Sequence, residues 1–160
     1  MKISVIIPVY NETNTIEEII KKVILSPYDN IEVIAIDDCS NDGTKEKLKK
    51  IFSKNKISNK QLIFHDHNFG KGASIKSGLS VATGDIIVIQ DADLEYDPKE
   101  YPKLIEPIIN DMADIVYGSR FLGSDASRVL YFWHRVGNGL LTLLSNILTN
   151  LNLTDMETGY

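Results

Sequence analysis

The sequence predicts an α/β protein with a mainly parallel sheet covered by helices on both faces. Short runs of β-branched and other apolar residues alternate with longer segments whose apolar residues recur at helical spacing. This order of strand, helix, strand and helix favours parallel strands joined by crossover helices. Polar and charged residues follow each predicted strand, at the end where such sheets bind ligands.

Five apolar runs are predicted to be strands. The first, "ISVIIPVY", is rich in β-branched residues, and the others are apolar runs of similar length, typical of buried strands. The five predicted strands span residues 3–10, 31–37, 60–66, 85–91 and 113–119.

The segments between these runs are predicted to be helices. In the first helix, isoleucine and valine recur at helical spacing from Ile16 to Ile24, and Thr13 or Asn14 can cap its start. Pro98 suits the start of the last one. The four predicted helices span residues 14–26, 42–54, 72–82 and 98–110.

Composition and length indicate one globular domain over residues 1–160. Apolar residues make up 43% and charged residues 24% of the chain, which is ordinary for a globular protein. The net charge of −5 and the lack of a strong basic patch argue against nucleic acid as a partner. Cys39 is the single cysteine, so no disulfide forms within the chain, which fits the reducing cytoplasm.

The two ends of the chain carry different expectations. The N-terminus runs directly into the first predicted strand, without a signal peptide. The longest apolar stretch, 136–153, contains too many polar residues to span a bilayer. The chain stops directly after "DMETGY", with no cap or turn, so we expect the domain to be truncated at its C-terminal end.

The polar residues that follow the five strands are expected to meet on one rim, because the carboxyl ends of parallel strands lie at the same edge. Five separate segments therefore supply the candidate site. In chain order they contribute Pro8, Tyr10, Asn11 and Glu12; Asp37, Asp38, Ser40 and Asp42; His65, Asp66, His67 and Asn68; Asp91, Asp93 and Glu95; and Gly118, Ser119 and Arg120.

Asp91 and Asp93 are the sharpest feature of this rim. Two residues at i and i+2 in extended backbone point to the same side, and two ionised carboxylates there repel unless a cation lies between them. Mg²⁺ or Mn²⁺ suits such oxygen ligands and can carry a diphosphate. The alternative is a solvated turn after a strand, with Asp97 and Pro98 merely starting the next helix.

Six motifs in order carry a family resemblance: "VIIPVYNE", "IDDCSNDGT", "NFGKGASIKSG", "QDADLEYDP", "YGSR" and "DMETGY". Together they resemble the inverting family 2 glycosyltransferases with the GT-A fold, a Rossmann-like α/β architecture. The branch they resemble contains dolichyl-phosphate mannose synthases and polyprenyl-phosphate glucosyltransferases. The resemblance implies transfer of a hexose from a UDP- or GDP-linked nucleotide-sugar donor to a polyprenyl phosphate acceptor, with inversion.

The resemblance also implies a donor site. Asp38 is favoured as the residue that reads the base, and Lys71, in its glycine turn, faces a phosphate. Simpler alternatives are a strand-end aromatic for Tyr10, a helix-start carboxylate for Glu12 and a turn residue for Asp37. The implied donor-binding residues are Pro8, Tyr10, Asn11, Glu12, Asp37, Asp38, Lys71 and Asp91.

Metal and acceptor residues follow from the same resemblance. Asp91 and Asp93 match the metal-binding Asp-x-Asp. Glu95 occupies the position where this branch often has glutamine, and it is expected to be either a third metal ligand or a hydrogen-bond acceptor next to the metal ligands. Three residues are expected to bind the acceptor phosphate: Ser119, Arg120 and Arg135. The implied catalytic residues are Asp93, Arg120 and Asp155, the last as a general base if the acceptor is a sugar hydroxyl.

The apolar segment 130–151 bears on the acceptor. Its residues recur at helical spacing, so a helix could lie in the membrane surface with Trp133 at headgroup depth, or it could pack in a core. We expect a cytoplasmic protein, peripheral at the inner face of the membrane. Two alternatives remain: a peripheral glycosyltransferase that extends a surface polysaccharide, and a catalytically silent nucleotide-binding domain.

Overall fold

A computed structural model of the chain describes residues 1–53, 58–119, 132–156 and 158–159. The chain divides into two compact units, Met1–Ile105 and Glu106–Tyr160. The first unit contains the sheet and the second contains a long helix. The expectation of one domain over 1–160 that continues past Tyr160 stays a prediction.

The sheet of the first unit has four parallel strands in the order β3-β2-β1-β4. In β1 and β2 both alternating sets of side chains are buried, so both faces of the sheet are covered. This confirms the predicted α/β fold with a parallel sheet. The strands are β1 (Ile3–Val9), β2 (Ile31–Asp37), β3 (Asn59–Phe64) and β4 (Ile86–Ile89).

Helices connect these strands near the predicted positions. The first begins after Thr15 rather than after Thr13 or Asn14, because the Thr13 N–H donates to Asp42 Oδ2 (3.1 Å) in the loop before the helix. A 3₁₀ turn, Pro98–Glu100, precedes the fourth helix. The helices are α1 (Ile16–Ile24), α2 (Thr44–Ser53), α3 (Lys71–Leu79), α4 (Tyr101–Ile109) and α5 (Phe132–Thr149).

Helix α3 packs closely on the sheet because Gly78 has no side chain. A Cβ built at Gly78 would lie 2.6 Å from Ile6 Cγ2 and 3.0 Å from Ile36 Cδ1. Ile6, Ile34 and Ile36 are fully buried there. This close contact places the N-terminus of α3 at the carboxyl ends of the central strands.

The prediction of a fifth strand at 113–119 is wrong, because this segment has no regular secondary structure. Ile115 is 72% exposed and Tyr117 is 54% exposed. The apolar, β-branched run has the composition of a strand, but a strand also needs a hydrogen-bonding partner. In the described sheet, β4 pairs only with β1, so no strand from this segment pairs with the other edge of β4.

In the second unit, α5 buries polar residues and exposes apolar ones. Asn138 and Thr142 are 4% and 6% exposed, whereas Ile147 and Leu148 are 68% and 83% exposed. The polar face holds residues 153–156: Asn146 exchanges two hydrogen bonds of 2.9 Å with the backbone of Leu153. Among the described residues, no helix combines the length and the apolar character needed to cross a membrane.

Candidate active site

A cleft of about 230 Å³ opens where β1, β2 and β4 end and α3 begins. All of its lining belongs to the first unit, and it combines an aromatic ring, one lysine and several carboxylates. The lining residues are Pro8, Val9, Tyr10, Glu12, Asp38, Lys71, Ser74, Asp91, Ala92 and Asp93. Six predicted donor-binding residues and one further predicted metal ligand therefore line one cavity.

Lys71 forms an ion pair with Asp91 in this cleft. Its Nζ is 2.6 Å from Asp91 Oδ1 and 2.8 Å from Oδ2, so the ammonium faces both carboxylate oxygens. The preceding Gly70 has φ +86°, a backbone conformation that glycine adopts without strain, and this turn starts α3 with Lys71. The first acid of the Asp-x-Asp motif is thus held by a cation from another segment of the chain.

Asp93 is exposed and lies on the wall of the same cleft. Its Oδ1 accepts a hydrogen bond from the Glu95 N–H (3.1 Å), which tightens the turn. Glu95 is exposed and does not line the cleft. Across the described part of the chain, no three side chains of histidine, cysteine, aspartate or glutamate gather as a metal site, so Glu95 does not complete a three-ligand set with Asp91 and Asp93.

Two carboxylates still fit a hard divalent cation. Mg²⁺ usually keeps several waters and takes one or two protein carboxylates together with substrate phosphates. Asp91 and Asp93 both line the cleft and provide this set, and Lys71, paired with Asp91, provides positive charge. The arrangement suits a diphosphate bound together with a cation better than a cage made of protein ligands alone.

Asp38 is almost fully buried and holds the loop that leads to Lys71. Its Oδ1 accepts hydrogen bonds from His65 Nδ1 (2.7 Å) and the Phe69 N–H (3.0 Å), and its Oδ2 accepts one from the Gly70 N–H (2.7 Å). Burial acts to raise the pKa of Asp38, but the hydrogen bonds from His65 and the two backbone amides outweigh it and lower the pKa below its ordinary value. Both carboxylate oxygens of Asp38 already accept hydrogen bonds from the protein, so Asp38 has a structural role. Its contact with the base of the donor stays a prediction.

The sequence placed His65 on the rim, but it did not predict that His65 contacts Asp38. Its Nδ1 contacts Asp38, and its Nε2 lies 2.9 Å from Ser77 Oγ on α3. The signal is the strand register: Asp37 pairs with Phe64, so Asp38 and His65 are neighbours just beyond the ladder. That register cannot be read from the sequence.

At the end of β1, the predicted donor residues separate into two groups. Tyr10 is 47% exposed and presents its ring at the cleft, with Glu12 beside it. Asn11 lies outside the lining and braces the loops, since its N–H donates to Ser40 Oγ (2.9 Å) and its Oδ1 accepts from the Asn41 N–H (2.9 Å).

Asp37 also belongs to the bracing group. It is fully buried, it is not among the lining residues, and its Oδ2 accepts a hydrogen bond from the Ser40 N–H (3.3 Å). Its Oδ1 is buried and has no hydrogen-bond partner. Asp37 therefore shapes the turn after β2, as its simpler interpretation expected.

The predicted acceptor residues belong to the second unit. Ser119 Oγ lies 3.0 Å from Thr154 Oγ1, and Arg135 is exposed on α5. Asp155 is 1% exposed and accepts a hydrogen bond from Asn138 Nδ2 (2.8 Å). Arg120 lies outside the described residues, so its roles in catalysis and acceptor binding stay predictions.

Comparisons with known proteins agree with the motifs. The chain is 38% identical over 123 residues to a dolichol-phosphate mannosyltransferase of Pyrococcus furiosus, which covers 76% of this chain and 34% of the relative. It is 32% identical over 170 residues to a UDP-N-acetylglucosamine–dolichyl-phosphate N-acetylglucosaminyltransferase of Methanococcus voltae, covering 98% of this chain and 67% of the relative. The chain thus spans about a third of the length of the first relative.

A solved structure supports the fold. The mannosyltransferase PcManGT of Pyrobaculum calidifontis, in complex with GDP-Man and Mn²⁺, matches with a TM-score of 0.57 and 31% identity over 62% of this chain and 29% of that one. This likeness confirms the predicted GT-A-like architecture. The model of the family "Glycosyl transferase family 2" matches residues 4–156, nearly the whole sequence. The chain therefore belongs to glycosyl transferase family 2.

Proposed function

We propose that this chain forms the donor-binding part of an inverting, metal-assisted enzyme that transfers a hexose from a nucleotide sugar to a polyprenyl or dolichyl phosphate. The observation that carries the proposal is the cleft in which Lys71, Asp91 and Asp93 meet Tyr10. The names of the two relatives support the acceptor class, since each includes a dolichol or dolichyl phosphate.

Two groups of lining residues suit two parts of a nucleotide sugar. The half-exposed ring of Tyr10 offers a stacking face for the base, and Glu12 offers acceptors for ribose hydroxyls. Lys71, paired with Asp91, and Asp93 suit the diphosphate with its cation. Pro8 and Asp38 also line the cleft. Asn11 and Asp37 brace the loops around this site.

Asp91 and Asp93 would hold Mg²⁺ or Mn²⁺ at the diphosphate. When bound there, the cation supplies positive charge that stabilises the leaving nucleoside diphosphate. Lys71 adds a second positive charge from the protein, in a position to exchange its contact with Asp91 for one with a phosphate oxygen. The Mn²⁺ in the PcManGT complex supports this assignment.

In the transfer step, an acceptor phosphate oxygen forms a bond to the anomeric carbon, opposite the leaving group. The bond from that carbon to the diphosphate oxygen breaks, and the nucleoside diphosphate leaves with the electron pair. No general base is needed, because the second pKa of a phosphate monoester is about 6. The burial of Asp155 and its contact with Asn138 favour this route over a sugar hydroxyl acceptor with Asp155 as base.

The donor assignment is tested by calorimetry with UDP- and GDP-sugars in Mn²⁺. We expect one class of donor to bind and Lys71→Met to weaken binding about 10- to 100-fold, since a charge-assisted contact is worth roughly 1.5–3 kcal/mol. Lys76→Met is the matched control, because Lys76 is exposed on the same helix away from the cleft. Equal donor affinity in both variants would remove Lys71 from the site.

Acceptor binding is assigned to Ser119, Arg120 and Arg135 on the strength of the family motif. Arg135→Ala and Arg120→Ala should leave donor affinity intact and raise the polyprenyl phosphate concentration needed for transfer. Arg135→Lys should restore part of the loss, because a point charge cannot reproduce the planar fork of donors. Wild-type acceptor kinetics in both alanine variants would instead favour a sugar hydroxyl acceptor.

Peripheral association with the inner face of a membrane belongs to the same proposal. The exposed apolar face of α5, including Ile147 and Leu148, suits the boundary between headgroups and acyl chains. Leu148→Asp should reduce co-sedimentation of the protein with phospholipid vesicles. Leu25→Asp, at an equally exposed leucine (81%) just after α1, is the control. If both variants sediment like the wild type, α5 is not the membrane contact.

A further inference from the structure

Gln90 is a fully buried amide immediately before the Asp-x-Asp motif. It does not line the cleft. A buried amide is costly unless its donors and acceptor are satisfied, so its hydrogen bonds indicate what it does.

One amide nitrogen connects the two ends of the loop formed by residues 91–96. Gln90 Nε2 donates to the backbone oxygen of Asp91 (3.0 Å) and to that of Tyr96 (3.2 Å). Its backbone N–H donates to Ile6 O (2.9 Å) and so extends the pairing of β4 with β1. Gln90 is thereby fixed to the sheet on one side and to the loop on the other.

Tyr101 determines which end of the amide faces the loop. Tyr101 Oη donates to Gln90 Oε1 (2.9 Å), and Tyr101 is itself fully buried at the start of α4. Because the amide oxygen receives the hydroxyl, the NH₂ group faces the two carbonyl oxygens. The orientation of the amide thus depends on a residue eleven positions further along the chain.

The loop that Gln90 closes has a backbone that needs such support. Leu94 has φ +67°, a left-handed conformation that a branched side chain rarely adopts. Conformations of this kind persist when the surrounding contacts over-determine them. The Asp93 carboxylate, bonded to the Glu95 N–H, lies within this turn, so the path of the backbone sets where Asp93 points.

We propose that Gln90, oriented by Tyr101, is a positioning residue that holds the 91–96 loop so that Asp91 and Asp93 face the diphosphate and its divalent cation. The identity of that ligand rests on the proposed function. The positioning itself rests on the hydrogen bonds of Gln90 with Asp91, Tyr96 and Tyr101 described above and on the burial of Gln90 and Tyr101.

Two variants test the contributions of Gln90 and Tyr101 separately. Gln90→Met has a similar volume and removes both the donor and the acceptor, whereas Tyr101→Phe removes only the hydroxyl. Gln61→Met is the matched control. Like Gln90, Gln61 donates to a backbone oxygen, Val81 O (2.9 Å), and does not line the cleft, but its other contact is Glu32 and not the 91–96 loop. Each of the three variants removes at least one hydrogen bond of a glutamine side chain. Only Gln90→Met and Tyr101→Phe should affect the loop.

The first measurement is the Mn²⁺ concentration at which UDP or GDP binding to the full protein is half-maximal. We expect it to rise about tenfold in Gln90→Met and about threefold in Tyr101→Phe, which corresponds to the loss of one or two ordinary hydrogen bonds. Nucleotide affinity in EDTA should stay unchanged in both. Gln61→Met can lower the melting temperature but should leave the Mn²⁺ dependence unchanged.

The second measurement is backbone amide hydrogen exchange. Residues 91–97 should exchange faster in Gln90→Met, and to a smaller degree in Tyr101→Phe, while β1 exchanges as in the wild type. This measurement needs no ligand. If the wild type binds neither nucleotide, the proposed function fails, and exchange alone decides whether Gln90 holds the loop.

The positioning role is wrong if the donor binds and Gln90→Met keeps the wild-type Mn²⁺ dependence, even when the loop exchanges faster. It is equally wrong if exchange in 91–97 does not change. If Gln90→Met does not fold, the milder Tyr101→Phe carries both measurements with the same criteria.

Discussion

Glu32, near the start of β2, and Asp38, just past its end, are both buried acids, and they are stabilised in different ways. Glu32, near the start, is 4% exposed and accepts hydrogen bonds from Ser4, Lys2, Gln61 and Thr83. Lys2 lies just before β1, and the other donors come from β1, β3 and the loop after α3. Glu32 does not line the cleft. Glu32 therefore joins the starts of neighbouring strands.

Asp38, just past the other end of the strand, is just as buried but borders the cleft. Its donors are His65 and the amides of Phe69 and Gly70, which belong to the loop that carries Lys71. The comparison teaches that burial of a charge does not identify a functional acid. What distinguishes Asp38 is that its donors lie on a segment that supplies a side chain to the cleft.

The largest effect is expected at Asp93, which lines the cleft. Asp93→Ala should weaken Mn²⁺-dependent donor binding by about a thousandfold or more, roughly 4 kcal/mol, because it removes one of two proposed metal ligands. The melting temperature should hardly change, since Asp93 is exposed. Calorimetry and thermal denaturation measure the two quantities.

A control sharpens this result. Asp93→Asn keeps an oxygen for the Glu95 N–H but removes the charge. If Asn restores donor binding, Asp93 acts by shaping the turn and not by binding a cation.

The next largest effect is expected at Glu32, near the start of β2. Burial acts to raise the pKa of Glu32, but hydrogen bonds from Ser4, Thr83 and Lys2 outweigh it and lower the pKa to about 2. Relative to the ordinary 4.5, this contributes about 3 kcal/mol of stability at neutral pH. Glu32→Gln should lower the free energy of unfolding by about that amount and leave donor affinity unchanged.

The same residue predicts a pH dependence. A lowered folded-state pKa stabilises the protein above the unfolded pKa, and that stability is lost as the pH falls from about 4.5 to about 2. Urea denaturation at several pH values in this window should show a steep loss in the wild type. Glu32→Gln should show a shallower one, and parallel curves would mean that other carboxylates dominate.

Asp38→Asn should have a smaller, mixed effect. We expect a loss of about 1–2 kcal/mol in unfolding free energy, because an amide cannot accept from His65, Phe69 and Gly70 as well as a carboxylate does. Donor affinity should fall as well, because the loop before Lys71 loosens. If stability falls while donor affinity stays at the wild-type value, Asp38 supports the fold but neither reads the base nor positions Lys71 for the donor.

Lys2→Met should have the smallest effect, about 0.5–1 kcal/mol of unfolding free energy. The Lys2 side chain is 25% exposed, and Glu32 keeps its donors from Ser4, Gln61 and Thr83. A loss as large as that of Glu32→Gln would show that the ion pair alone stabilises this end of β2. Urea denaturation at pH 7 distinguishes the two results.

The sequence predicted features that depend on local pattern. The apolar run before Asp91 predicted a strand, and the alternation of strands and helices placed Tyr10, Asp38 and Asp91 on one rim. These features follow from periodicity and from the shared direction of parallel strands. The expected place of Lys71 near a phosphate was implied instead by the resemblance of its glycine turn to the family motif.

Features that depend on pairing between distant segments could not be predicted. The contact of Asp38 with His65 follows from the register of β2 with β3. The segment 113–119 has the composition of a strand, but composition does not supply a partner. The burial of Asp155 depends on Asn138, seventeen residues earlier on α5. The hydrogen bond between Tyr101 and Gln90 likewise joins residues eleven positions apart.

The strand order β3-β2-β1-β4 has a consequence for folding during synthesis. β1 is made first but lies inside the sheet, and β2 covers one of its edges within about 30 residues. Its other edge waits for β4, which begins at Ile86. While the ribosome adds the intervening residues, the growing chain exposes a long apolar strand edge, which is a site for aggregation. A nascent chain halted before Ile86 should therefore need a chaperone, whereas one halted after α4 has emerged should fold its sheet.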